Sequence, residues 1–289
     1  MSLKVGDLVV RKSHGGDIIF KIAEIYEEDG KPVCCLKGLH YRLLADSPLE
    51  DVQEIDAQYL RDEIRQMETM HADTLRRVMS RRELEREKRD LTRGDSAKKF
   101  ITYEIPGKIL HLDGDEEYLR MCLKTYSQLH IEAVGEHIAE TKQPEHVIEL
   151  LKQHQPDMLV VTGHDALIGS GKKDFRDLNN YRTSKYFIQS VLNARSLRPA
   201  KDDLIIFAGA CQSYYEAILA AGANFASSPT RIFIHAYDPV FIAEKVAFTS
   251  INKVVDVAEA VSASVTGVEG VGGIECRGKF RYAGPKSPY

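Results

Sequence analysis

No two of the five cysteines (34, 35, 122, 211 and 276) are spaced as CxxC, and their number is odd. That scatter excludes a disulfide framework or a cysteine-rich zinc site, and it predicts a reducing compartment. The first residues, MSLKVGDLVVRKS, hold no apolar signal core, and no apolar run approaches the roughly 18 residues of a membrane span. A cytoplasmic protein with no membrane partner is therefore expected. Charge of neither sign dominates: the formal net charge is −4, so the whole-chain balance gives no reason to expect nucleic acid as a partner. Glycine and proline are both missing from residues 51–93, so no turn is written into that stretch. What remains, 43% hydrophobic and 28% charged over 289 residues, suits one large globular domain and a smaller one.

Residues 1–50 carry three short β-rich runs, at 8–10, 17–26 and 32–38, separated by His14-Gly15-Gly16 and Asp29-Gly30. Turn signals between such runs predict a small antiparallel barrel of SH3-like type, either a docking module or an appendage of the larger domain. Adjacent strand residues face opposite ways, so Cys34 and Cys35 should be one buried thiol and one exposed, with no metal between them. Residues 51–97 read as a charged helical linker. Leu60, Ile64, Met67, Leu75 and Val78 approximate a helical stripe, with His71 in one of its positions. The basic run RRVMSRRELEREKRD (76–90) could hold nucleic acid, but Arg and Glu three or four apart favour a solvated, salt-bridged face. Thr92-Arg93-Gly94-Asp95-Ser96 breaks the helix.

Residues 98–289 alternate strand and helix, the pattern of an α/β domain with a doubly wound, mostly parallel sheet. Strands are expected at 108–115, 131–138, near 158–162, near 204–208 and at 230–238, with Gly-rich turns and an edge strand closing the chain. Two apolar runs organise this half. MLVVTGHDA (158–166) places His164 just past one strand, and LIIFAGACQS (204–213) places Cys211 just past the next. Both side chains should then emerge at the carboxyl edge of the sheet, where open α/β folds keep their sites. A thiol and an imidazole together there point to a Cys–His nucleophilic pair. A helix over 212–220 would lower the Cys211 pKa. Asp113 and Asp115 end the first strand; without a phosphate-binding glycine loop, capping or pocket-lining fits them better than a metal. Asp165, Asp174 and Asp177 follow His164 and could meet a basic substrate side chain. The segment 221–229, with Ser227, could wall a cleft. His235, with Asp238 beyond it, is the rival base, and pairing it with Cys211 would indicate a flavodoxin-like hydrolase or amidotransferase. A non-enzymatic coat or nucleic-acid adaptor is the remaining alternative.

An apolar strand ending in His, then after a crossover another ending in Ala-Cys, resembles the caspase-like fold of clostripain, gingipain, legumain and separase. Here 47 residues separate the pair, against about 50 in caspases. One departure is Gly163-His164-Asp165 where those peptidases usually have His-Gly. A longer resemblance runs through VGDLVVRKS, HLDGDEEYL, VVTGHDA, DLNNYRTSKYF, IIFAGACQS, AGANFASSP, IHAYDPV and GVGGIECRG; in these motifs the chain is similar to the YabG family of sporulation peptidases. The resemblance implies a caspase-like cysteine endopeptidase of the mother cell, whose partners are protein substrates, spore coat proteins among them. It implies Cys211 as nucleophile, His164 as general acid and base, and no metal or organic cofactor. Backbone N–H groups of Cys211 and Asp165 would form the oxyanion hole. It also implies cleavage after Arg or Lys; the arginines of residues 76–93 then make self-cleavage in the linker an expectation, at Arg93 where the helix ends beside Gly94.

Overall fold

The computed structural model describes residues 3–92, 103–168 and 174–285. Strands β1 (Leu8–Arg11), β2 (Phe20–Glu28), β3 (Lys31–Gly38), β4 (Leu44–Pro48) and β5 (Val52–Glu54) form one antiparallel sheet in the order β4-β3-β2-β1-β5. Asp29 and Gly30 join β2 to β3, both at positive φ (51° and 73°). That is the two-residue hairpin turn whose twist matches its strands. Cys34 is fully buried on the inner face and Cys35 is not, as expected from alternation. β4 and β5 were not foreseen because they are short, polar edge strands, the kind that carry little apolar pattern.

Helix α1 (Ala57–Thr92) follows, about 54 Å long at 1.5 Å per residue. Asp56 starts it by accepting from the N–H groups of Gln58 and Tyr59. Thr74 and Val78 are buried against the larger unit. Two arginines of the basic run turn inward: Arg81 and Arg82 both grip Glu244, which is fully buried. The run is thus salt-bridged within the protein. The expected helix break at Arg93–Gly94 lies outside the described residues.

The central sheet runs β12-β11-β10-β9-β7-β8. Its parallel strands are β7 (Ile109–Asp113), β8 (Ala133–His137), β9 (Met158–Thr162), β10 (Ile205–Ala208) and β11 (Phe225–Ser227), and β12 (Val271–Gly273) is an antiparallel edge. β6 (Tyr103–Ile105) pairs with β13 (Arg281–Ala283) apart from it. Alternate strand residues pack against different helices. Ile109, Val160, Phe207 and Phe225 meet α2 (Glu116–Gln128), α6 (Asp238–Phe248) and α7 (Val257–Ser262). Leu110, Val161, Ala208 and Ala226 meet α3 (Gln143–His154), α4 (Ser184–Leu197) and α5 (Tyr215–Ala220). The sheet is doubly wound, as the strand–helix alternation predicted.

Two expectations are corrected. The fifth strand is not 230–238 but β11, in the small-residue segment that the sequence suggested as a cleft wall. Residues 231–237 hold no strand and lie off the sheet, with an isolated bridge from His235 to Tyr41 and a turn at Ala236–Tyr237. Their β-like alternation serves that non-local partner. The helix after Cys211 begins only at Tyr215, because Gln212 adopts φ 55° and turns the chain first.

The antiparallel sheet sits over the carboxyl edge of the parallel one. Val9, Phe20, Ile22, Leu36 and Leu43 share an apolar cluster with Ala166, Cys211 and Ile234. The edge expected at solvent is therefore covered there.

Candidate active site

β9 and β10 are neighbours with Val161 opposite Ala208, so the turns that follow them deliver His164 and Cys211 to one edge. Gly163 beside His164 and Gly114 after β7 leave room for the Glu140 carboxylate, which a Cβ at either position would displace. Glu140 fills that space. It accepts from His164 N–H (2.7 Å) and lies 3.3 Å from His164 Nδ1. On the ring's other nitrogen, Nε2 is 3.2 Å from Asp115 Oδ2 but not aligned as a hydrogen bond. Burial alone would lower the His164 pKa; Asp115 and Glu140 outweigh it, and the net direction is upward. His164 is a near-buried imidazole biased toward its cation.

Asp115 serves four partners. It caps α2 through Glu117 and Tyr118 N–H, and its other oxygen meets Lys37 (2.7 Å) and His164. Burial would raise its pKa, yet His164 and Lys37 pull it well below the usual carboxylate range. Asp115 thus caps its helix, as expected of it, and faces Lys37 and His164.

Cys211 is fully buried. Its Sγ accepts from Ile234 N–H (3.2 Å), and its own N–H donates to Arg42 O (3.4 Å). Burial pushes its thiol pKa strongly up, against the lowered value expected from the sequence. The difference has two causes: the helix N-terminus is four residues away, and no hydrogen bond joins His164 to Cys211. Tyr118 lies against both His164 and Arg42, its ring 5.5 Å from that of His164 and 5.2 Å from the Arg42 guanidinium.

Arg42 is the residue that sequence reasoning missed. Its side chain is wholly buried and donates to Asp113 Oδ2 (2.7 Å), Ala236 O (3.1 Å) and Cys122 Sγ (3.4 Å). Burial would raise the Asp113 pKa, but the guanidinium holds it at about 2. Asp113, read from the sequence as capping or pocket-lining, thus faces a basic side chain of the chain itself, whereas Asp165, Asp174 and Asp177, the acids expected to meet one, hold other partners. Asp165 is buried and spent on structure, accepting from Thr183 N–H, Ser184 Oγ and Ser213 Oγ, the last of which ties the His164 and Cys211 turns together. Asp174 and Asp177 are exposed and close their own turns, accepting from Arg176 and Asn179 N–H. Ser227 is fully buried against Gly209.

For the oxyanion hole, the Cys211 N–H does hold a carbonyl, whereas Asp165 N–H makes no hydrogen bond to it. His235 is buried and stacked on His40 with its Nδ1 accepting from Tyr237 N–H. Burial lowers its pKa to about 3, so it is neutral, and it has no hydrogen bond to Cys211. No signal in the sequence could tie Arg42 to Asp113 or Glu140 to His164. Glu140 does stand in the loop past a strand's carboxyl end, which is a usable hint.

Among the described residues no helix is long and apolar enough to cross a membrane. Comparison with known proteins adds two findings. The model of the family described as YabG peptidase U57 matches residues 4–285. The sporulation-specific protease YabG of Bacillus subtilis strain 168 is 40% identical over 289 residues, covering 99% of this chain and 99% of that protein.

Proposed function

The chain belongs to the YabG peptidase family, and on that premise we propose that it is a cysteine endopeptidase with Cys211 as nucleophile. The observation that carries this reading is the peptide carbonyl held by the Cys211 N–H at the edge shared with His164. The Cys211 thiolate attacks a substrate carbonyl, and the N–H steadies the tetrahedral oxyanion, a contact worth roughly 3–4 kcal/mol in comparable sites. His164, biased toward its cation by Asp115 and Glu140, gives its proton to the departing amine. Attack requires a shift from the resting geometry that brings the imidazole to the thiol.

The specificity reading follows from the same edge. Asp113 at the end of β7 selects Arg over Lys, because a guanidinium fills a planar donor pattern that an ammonium cannot. The doubly wound sheet is read as caspase-like and the N-terminal sheet as an SH3-like barrel, with the helical linker between. The substrates are spore coat and related proteins in the mother cell. Self-cleavage after Arg93 also belongs to this reading, at a position outside the described residues.

The test is to incubate wild type, Cys211→Ala and His164→Ala with spore coat extract and sequence the new termini. New termini after Arg in wild type alone are expected. Equal processing by a folded Cys211→Ala protein would overturn the cysteine mechanism.

A further inference from the structure

The hairpin tip between β3 and β4 leaves its own sheet and lies along the edge of the larger unit. Residues 40–43 make there the main-chain contacts of a bound peptide. Arg42 N–H donates to Ile234 O (3.2 Å), Ala236 N–H donates to His40 O (2.9 Å), and Cys211 N–H donates to Arg42 O (3.4 Å). Tyr41 bridges His235 in antiparallel sense, and Leu43 bridges Asp165 in parallel sense. A segment added to free edge groups in this way is held by β-augmentation, in which main-chain bonds give affinity and side-chain pockets give selection.

The side chain completes the likeness. A fully buried guanidinium is costly unless a carboxylate and further acceptors surround it, and a hairpin tip has no need of one. Asp113, Ala236 O and Cys122 supply that surround from the larger unit. The carbonyl held by Cys211 N–H thus belongs to the very residue whose side chain fills the Asp113 pocket. A peptidase needs that relation between the carbonyl it attacks and the side chain it selects.

We infer that residues 40–43 are a resident occupant of the substrate cleft, an intramolecular inhibitor that places Arg42 where a substrate arginine would lie. This rests on the peptidase reading of Cys211 given above. The occupant is held without being turned over. Leu43 N–H, which would be the leaving amine, donates to Tyr41 O (2.7 Å). Cys211 Sγ is bracketed by the main chain of Ile234, and His164 makes no hydrogen bond to it. Release of the tip is what opens a nucleophile that is otherwise 0% exposed.

The experiment compares the full-length wild type with Arg42→Ala and with Arg42→Lys, which keeps a cation against Asp113 and so secures the fold. Two rates are read: alkylation of Cys211 by iodoacetamide, followed by mass spectrometry, and hydrolysis of an acetylated peptide ending in arginyl-aminomethylcoumarin. Both should rise in the order wild type, Arg42→Lys, Arg42→Ala. The Ala variant should gain about tenfold, the ratio of a millimolar effective concentration for a tethered segment to a peptide affinity of about 100 µM. Cys276, buried elsewhere, should stay slow in all three. Wild-type rates in both variants would overturn the inhibitor while leaving the peptidase reading intact. A parallel rise at Cys276 in Arg42→Lys would also overturn it, because the tip would then be holding the fold and not the cleft. Faster alkylation of Cys211 without peptide hydrolysis would support occupancy and overturn the peptidase.

Discussion

Replacing Asp113 by Asn should both weaken the fold and blunt selection for arginine. Arg42 and Asp113 are each 0% exposed and 2.7 Å apart. Asn keeps the shape of the carboxylate but leaves the guanidinium without a countercharge in a site that water does not reach. Breaking a buried pair from one side costs about 3–5 kcal/mol. For a chain of this size that lowers Tm by roughly 6–10 °C. A pH series separates the charge effect from a packing effect. The Asp113 pKa is about 2 when folded against 3.8 for the free group. Its contribution is therefore complete above the unfolded value and is lost as pH falls through about 2. Wild type and Asp113→Asn should differ most at neutral pH and converge as pH falls from 4 to 2. Thermal melts followed by circular dichroism measure this. In the same variant, kcat/KM on an arginine peptide should fall by about 10²-fold or more, since the pocket loses the carboxylate that pairs with the guanidinium. A Tm change under about 2 °C at pH 7 would refute the buried-pair reasoning, because that is the scale of a surface ion pair.

His164→Gln should lower turnover by about 10²–10⁴-fold in steady-state assays, while His235→Gln should stay within about tenfold of wild type; the reverse ranking would assign the base to His235. The His164 pKa is raised in the fold by Asp115 and Glu140, so its stabilising contribution is full below about 6.5 and lost as pH rises through the folded value. Wild type should thus lose Tm above neutrality, a loss that Glu140→Gln should reduce; an unchanged pH slope in that variant would deny Glu140 its role. A 96–289 fragment should expose Cys211, Ala166 and Ile234, bind a hydrophobic dye and tend to aggregate. A soluble, dye-free fragment would show that the N-terminal sheet is not needed to cover that edge.

Local pattern carried the fold further than it carried the site. The alternation of β7, β9 and β10 with their helices was legible because each strand is a largely apolar run buried on both faces, while β8 is a partly exposed edge strand placed by the helices around it. β11 was missed because Phe225–Ser227 is only three residues long and its small and polar neighbours look like a turn, and the better alternation of 230–238 belongs to a segment whose partner lies near residue 41. The places of His164, Cys211 and Asp113 at or just past strand ends were legible. Arg42 was not, since an arginine between Tyr41 and Leu43 gives no sign of a carboxylate 71 residues away. Burial of Cys211 was equally hidden, because it comes from apolar residues of the N-terminal sheet that share no local pattern with it.

The central claim is that Cys211 is the nucleophile, and covalent capture tests it most directly. Full-length protein would be incubated with a peptidyl-arginyl acyloxymethyl ketone, and the adduct mapped by mass spectrometry in wild type and in His164→Ala. The account predicts a single thioether on Cys211 in wild type, strongly reduced without His164, with Cys34, Cys35, Cys122 and Cys276 unmodified. An adduct on any other thiol, or full peptide hydrolysis by a folded Cys211→Ala protein, would contradict it.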